Sequence, residues 1–327
     1  MRKSWFEKLM GFNEYDHDHD MVKSLLRVSS NGFLQSRANR KKYRCGVLDT
    51  PSVEGLRRVA STHYGPPGDR LKFEQIAADV TNLHRDPANA GALFQVASQF
   101  NLLEMVSPDM TPECGLAIYE NDHTQGPACA IACGAGTIYR NYLAEVNGQV
   151  GQDKRNQIDC SDDIGHLLGN AREELWKMAN GYLLPTVEGL REIAGWVVDE
   201  PGSLRNKAIN LLKIGIQWDT EVTLEDCGHC VTQAYCSAVP VSYSRIFSDE
   251  WKELGILILE GAYEATLCAG IINAVATGNN TVFLTSLGGG AFGNPEEWIT
   301  GAIDKILKKY AAFDLDVKLV HYPKSIK

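Results

Sequence analysis

The stretch VFLTSLGGGAFGNPEEW, residues 282–298, decides how this 327-residue chain is read. Val282, Phe283 and Leu284 form an apolar run suited to a buried strand. Gly288, Gly289 and Gly290 follow, with Ala291, Phe292 and Gly293 behind them. A backbone without Cβ atoms takes positive φ and brings its N–H groups against a ligand. Asn294 is expected as the N-cap of a helix, with Pro295 at its first position and Glu296 and Glu297 in its first turn. The order strand, glycine loop, helix offers amides and a helix dipole to a phosphate. An ordinary tight turn between strand and helix uses the same residues, so a second loop of the kind carries weight.

That second loop is HTQGPA, residues 123–128. Gly126 makes the turn and Pro127 suits the start of a helix on which Ile131, Ala135, Ile138 and Tyr142 recur at helical spacing. Its free amides again point outward.

The remaining elements follow outward from these loops. Ser248 is expected to cap a helix with Trp251, Leu254, Ile258, Ala262, Ala265, Ala269 and Ile272 on one face, ending near Gly278. Behind the glycine loop come a helix over 295–310 and a last strand over 316–321. Residues 72–83 read as a strand and turn, 90–98 as a strand, and 214–222 and 231–242 as alternating strands. The segment 146–210 reads as a helical insertion, with helices over 164–178 and 187–198. Residues 1–70 read as an N-terminal extension packing on a body of 71–327, with Ser52 capping a helix that has Leu56 and Val59 on one face. Alternating strands and helices imply an α/β fold in three α/β/α layers around a mixed sheet. Ligands of such sheets sit at the carboxyl ends of the strands.

A net charge of −9 argues against nucleic acid or an anionic membrane as the main partner. No apolar run reaches the roughly 18 residues of a spanning segment. The N-terminus carries charges where a secretory signal needs an apolar core, so the expected location is cytoplasmic. Nine cysteines, an odd number spread along the chain, read as reduced thiols. Cys227-Gly228-His229-Cys230 has the spacing of a zinc or redox pair but no second pair beside it, and no metal or cofactor is expected.

Together the motifs resemble a macrodomain, the ADP-ribose-binding α/β/α module. The run 76–101 stands where that family has a GD-I-T turn, a strand and its NAAN-type loop. TQGPACAI stands where it has a glycine loop opening a helix, and 260–295 matches its long helix, strand and phosphate loop. More narrowly, ASQFNLLEM, YENDHTQGPACAIACGAGTIYRN and FLTSLGGGAFGN resemble the MavL-type macrodomains. That resemblance implies hydrolysis of ADP-ribose from arginine side chains of proteins, ubiquitin among the family's known targets. It places Asp79 against the adenine amino group and Asn101 on the distal ribose. The chain departs from ordinary macrodomains in having SQFN for NAAN and QGPA for a GG-V-D loop. It also lacks the Gln-Glu-Glu signature of the glycohydrolases.

An ADP-ribose site needs a pyrophosphate cradle, which Gln125, Gly126, Pro127, Ala128 and residues 288–293 are expected to form. Ser286 adds a hydroxyl and Phe292 a face for a ribose. N-glycosidic cleavage passes through an oxocarbenium-like state that carboxylates stabilise while they orient or deprotonate water. Arginine leaves from a protonated guanidinium, so acids belong near it. Asp122, just before the second loop, Glu104, just after the NAAN-like loop, and Glu120 are the expected catalytic group. The alternatives are a reader that binds ADP-ribose without turnover and a hydrolase of small ADP-ribose derivatives.

Overall fold

The computed structural model describes residues 3–63, 70–196, 202–225 and 227–323. Its centre is a seven-stranded mixed sheet. The strands are β1 (Val47–Asp49), β2 (Lys72–Ala77), β3 (Leu93–Ala97), β4 (Gly215–Glu221), β5 (Cys230–Cys236), β6 (Thr281–Thr285) and β7 (Asp316–His321). They lie in the order β1-β4-β5-β3-β6-β7-β2. From β5 to β2 all neighbours are parallel, while β4 runs antiparallel to both β5 and β1. β1 therefore runs with the parallel strands, and the carboxyl ends of six strands share one rim.

Successive side chains on β3 point to opposite faces, and their partners show what covers each. Phe94 stacks between His84 and Phe283. On the other face Gln95 Nε2 donates to Thr266 Oγ1 at 2.9 Å. His84 belongs to the helix Val80–Arg85 and Thr266 to the helix Ser248–Thr277. The first face also carries the helices Gln125–Ala132 and Gly134–Tyr142; around the long helix of the second pack Val53–Ser61, Val187–Trp196, Leu204–Leu211 and Glu296–Lys309. The architecture is three α/β/α layers on a mixed sheet. The helix Ser248–Thr277 has the length and apolarity of a membrane span, yet most of it is buried inside the protein.

Acids on that long helix tie the second layer together. Glu264, almost wholly buried, accepts from Arg57 Nε at 2.7 Å, Lys309 Nζ at 2.6 Å and the Tyr310 hydroxyl at 2.8 Å. Glu260 pairs with Arg205 at 2.9 Å and Lys305 at 3.0 Å. A second apolar cluster, with Phe6, Leu9, Met10, Leu34, Tyr119, Ile138 and Tyr142, joins the N-terminal segment to the outside of the first layer.

Several expectations shift. The 30-residue helix is capped at Phe247, with Ser248 its first residue, and no side chain closes the cap. The C-terminal helix begins at Glu296, so Pro295 takes the cap position and Asn294 is freed for another task. The helix expected over 131–142 breaks at Cys133, whose φ of −113° and ψ of 53° are not helical. The segment 164–178 is not one helix. Asp162–Leu167 stops short, and Trp176–Ala179 pairs with Tyr182–Pro185 in a hairpin. Asn180 and Gly181, with φ of 48° and 80°, form its two-residue turn, the Asn-Gly signal for such hairpins. Glu145–Val146 and Gln149–Val150 form a further hairpin, so the insertion is not wholly helical. The sheet also takes its edge strand β1 from before residue 71. Ser52 does cap its helix, accepting from Gly55 N at 3.1 Å, but the buried face is Val53, Leu56 and Ala60 while Val59 stays exposed.

Replacing Glu264 by Ala leaves two cations facing an apolar gap. Urea denaturation should show a loss toward the low end for broken buried pairs, about 3 kcal/mol, because Arg57 and Lys309 both reach solvent.

Candidate functional site

Strands β3 and β6 run as neighbours only at Leu93 and Phe94, opposite Val282 and Phe283. Beyond that point they part, and strand groups lose their mates. The carboxamide of Gln125 supplies replacements: its Oε1 accepts from Ala97 N at 2.9 Å and its Nε2 donates to Gln95 O at 2.8 Å. Gln95 in turn accepts at Oε1 from Thr285 N at 3.3 Å. One side-chain amide thus stands in for a strand's peptide and plants the start of the helix Gln125–Ala132 in the gap. Gly126 follows there because a Cβ would collide with the Ala97 carbonyl oxygen.

Two cavities open over this gap, of about 760 Å³ and 210 Å³. Asp122, Thr124, Gln125, Thr285 and Ser286 wall both, so they form one continuous cleft at the carboxyl rim. The larger is also walled by Asp79, Val80, Glu120, Ala128, Tyr322 and, from the N-terminal helix Trp5–Met10, Trp5 and Lys8. The smaller is walled by Gln99, Glu104, Gly126, Pro127, Tyr182, Tyr243, Gly288, Gly290, Ala291 and Phe292. Both glycine loops meet at one cavity.

Each loop has its own device for exposing amides. Tyr263 on the long helix fixes the start of the 286–294 loop, donating its hydroxyl to Thr285 O at 2.9 Å and accepting from Leu287 N at 3.0 Å. Asn294 closes the end, with its N–H on Gly288 O at 2.9 Å and its Nδ2 on Val239 O at 2.7 Å. Gly288 sits at φ 75°, where a Cβ would also strike Ala238. Gly289 and Gly293 use their N–H groups inside the loop, on Ser286 O and Gly290 O, and neither walls the cleft. Among the described residues the N–H groups of Gly288, Gly290, Ala291 and Phe292 have no partner, and these four residues all face the smaller cavity. At the other loop Thr124 is an N-cap without a side-chain cap bond. The unpartnered first-turn amides are those of Gln125 and Gly126. Pro127 has no N–H, and the N–H of Ala128 is bound to Thr124 O at 3.2 Å, so these two shape the wall and donate nothing.

The three acids separate. Asp122 is half-buried, accepts from Thr124 N at 2.9 Å and faces both cavities. Glu120 is exposed, walls only the larger one and accepts from the backbone N–H of Trp5 at 3.1 Å. Glu104 is 3% exposed at the wall of the smaller cavity, and among the described residues neither carboxyl oxygen has a hydrogen-bond partner. Its backbone N–H donates to the Tyr119 hydroxyl at 2.9 Å, and Arg140 Nη2 stands 3.7 Å from Oε1. Burial pushes its carboxyl up to about 8, against the opposing pull of Arg140 and Tyr119.

Asp79 walls the larger cavity and caps the helix Val80–Arg85, accepting from Thr81 N at 2.7 Å. Asn101 does not wall the cleft. Fully buried, it donates to Gln157 Oε1 at 2.9 Å and accepts from Leu103 N at 3.1 Å, which orders the turn before Glu104. Phe292 packs its ring with Tyr182 at 5.4 Å and Tyr243 at 5.6 Å. Tyr182 arrives on the 176–185 hairpin, and its Asn-Gly turn was the available signal; nothing local marks Tyr243. Among the described residues no group of three or more His, Cys, Asp or Glu side chains is placed to hold a metal.

Neither a family model nor a curated protein matches the chain. Among solved structures it is similar to poly(ADP-ribose) glycohydrolase from Deinococcus radiodurans in complex with ADP-ribose, at 11% identity over 85% of this chain and 87% of that one, with a TM-score of 0.46. It is similar also to poly(ADP-ribose) glycohydrolase from Thermomonospora curvata, at 13% identity over 93% and 89%, with a TM-score of 0.44. The same enzyme bound to the inhibitor ADP-HPD matches at 12% identity over 94% and 91%, with a TM-score of 0.45.

A carboxyl whose folded value lies above its unfolded 4.5 stabilises the protein fully below that value and loses this contribution as pH rises toward 8. Glu104→Gln should therefore gain stability relative to wild type between pH 5 and 8, on the order of a few kcal/mol by thermal denaturation. Gly126→Ala should cost about 1–3 kcal/mol through the collision at Ala97.

Proposed function

We propose that the protein is a macrodomain-type hydrolase that releases ADP-ribose from ADP-ribosylated arginine on a protein. The observation that carries this reading is Glu104, an enclosed carboxyl without a hydrogen-bond partner at the wall of the cavity where the two amide cradles meet. The cradles suit a pyrophosphate, which backbone N–H groups bind without lysine or arginine. The larger cavity, at about 760 Å³, falls within the size range of small-molecule sites and suits the adenosine end, with Asp79 beside it. The distal ribose then lies in the smaller cavity among Tyr182, Tyr243 and Phe292.

In the reaction the bond from the anomeric carbon to the guanidinium nitrogen breaks, and a water oxygen takes its place. Asp122 receives a proton from that water and stabilises the positive charge developing on the sugar. The departing guanidine is strongly basic and takes a proton from Glu104, which its burial keeps in the acid form near neutral pH. The proton on Asp122 then passes through solvent to Glu104, so both carboxyls regain their starting states as ADP-ribose and an arginine side chain leave. Arginine as the linkage, and ubiquitin as a target, rest on the motif resemblance and on the two acids at one cavity.

A second reading is a reader that binds ADP-ribose without turnover. The enclosure of both Glu104 oxygens favours it, because a general acid must reach the leaving group. Incubation with arginine-linked and glutamate-linked ADP-ribosylated proteins separates the two. The hydrolase reading expects ADP-ribose release from arginine and a loss of about 100-fold or more in Asp122→Ala and Glu104→Gln. Release confined to glutamate esters removes the arginine assignment. Binding without release from either makes the protein a reader.

A further inference from the structure

We propose that Arg140 is a positioning residue for Glu104: it holds the acid's carboxyl at the cavity wall and governs how firmly that carboxyl keeps its proton. The inference rests on reading Glu104 as the acid of the site. Arg140 is fully enclosed on the helix Gly134–Tyr142 and walls neither cavity. Its Nε donates to Leu102 O at 3.1 Å, on the turn that carries Glu104, and its Nη2 reaches Thr137 Oγ1 at 3.3 Å. The guanidinium carbon lies 3.6 Å above the Tyr235 ring. Leu102, a residue with φ of 66°, is thereby held in a backbone conformation that leucine seldom adopts.

With these anchors occupied, the cation stops 3.7 Å from Glu104 Oε1, close enough to attract and too far to form a hydrogen bond. Arg140 Nη1 and both Glu104 oxygens are enclosed and have no hydrogen-bond partner among the described residues. Arginine–carboxylate pairs frequently close into a bidentate fork that satisfies both groups. Here the guanidinium is committed to Leu102 and Tyr235, and of the two residues only Glu104 walls the cavity. The ionisable groups facing Glu104 are Arg140, Tyr119 from the turn Ala117–Asn121, Tyr235 on β5 and Cys129 on the helix Gln125–Ala132. Burial holds both phenols and the thiol neutral, which leaves Arg140 as the cation among them. A cation at this distance lowers a carboxyl's value by about 1–3 units, so its loss is legible as a shift on the pH axis.

The test is the pH profile of ADP-ribose release by wild type, Arg140→Gln and Arg140→Lys. The alkaline limb marks loss of the proton from the acid. It should move up by about one unit or more in Arg140→Gln and stay near wild type in the charge-keeping Arg140→Lys. An unmoved limb in Arg140→Gln, with only the rate reduced, shows a merely structural arginine and overturns the proposal. If Arg140→Gln does not fold, Arg140→Met, also without the charge, takes its place: an upward move of the limb supports the proposal and an unmoved limb overturns it. If wild type releases nothing at any pH, the hydrolase reading fails by itself. The stability difference between each Arg140 background and its Glu104→Gln partner, followed against pH, then reports the Glu104 midpoint without turnover. The same upward move supports the proposal, and a fixed midpoint overturns it.

Discussion

Strands β3 and β6 pair for two residues and then separate, and the cleft is the consequence of that separation. Parting two central parallel strands strands their peptide groups, which fold stability does not tolerate unless a partner is found. Gln125 is that partner, bonding Ala97 N and Gln95 O with a single carboxamide. Because this side chain sits at the first position of a helix, satisfying the gap also aims the helix's unpartnered amides into it. Gly126 must follow, since nothing larger fits against Ala97. The opening and its first cradle are one construction.

The second cradle is built from the long helix and the glycine loop. Tyr263 pins the loop's start and Asn294 its end, so the four amides between them face the cavity without a chain partner. Against this fixed backbone the carboxyl groups differ by environment. Asp122 is partly solvated on its turn, whereas Glu104 is enclosed with Arg140 behind it. Both residues wall the smaller cavity, one in a wet setting and one in a dry one. The N-terminal segment also belongs to this arrangement. Glu14, buried, accepts from Leu116 N at 2.8 Å and from the Tyr142 hydroxyl at 2.6 Å, bracing the stretch that leads to Glu120 and Asp122.

The fold was largely legible because its signals are local. The apolar run 282–284, the glycine loop and the strand over 316–321 stand where the sequence places them. The long helix is found by its periodicity, although its cap is Phe247. What the sequence hid depends on distant contacts. Asn294 has the residue type of a cap, but Val239 and Gly288 claim it. Asn101 has the position of a ribose ligand, but Gln157 turns it inward. The Gln125 amide looked like one more cradle donor, and only the parting of β3 and β6 reveals its use. Arg140 carried no signal at all, since an arginine within a helix usually faces solvent.

The central claim is that two backbone cradles from separate parts of the chain close on one pyrophosphate. Isothermal titration calorimetry with free ADP-ribose, set beside ADP and AMP, tests it most directly. The account predicts saturable binding of one ADP-ribose per chain, competed by ADP and only weakly by AMP, which lacks the pyrophosphate. No heat with ADP-ribose, or AMP binding as tightly as ADP-ribose, would contradict it.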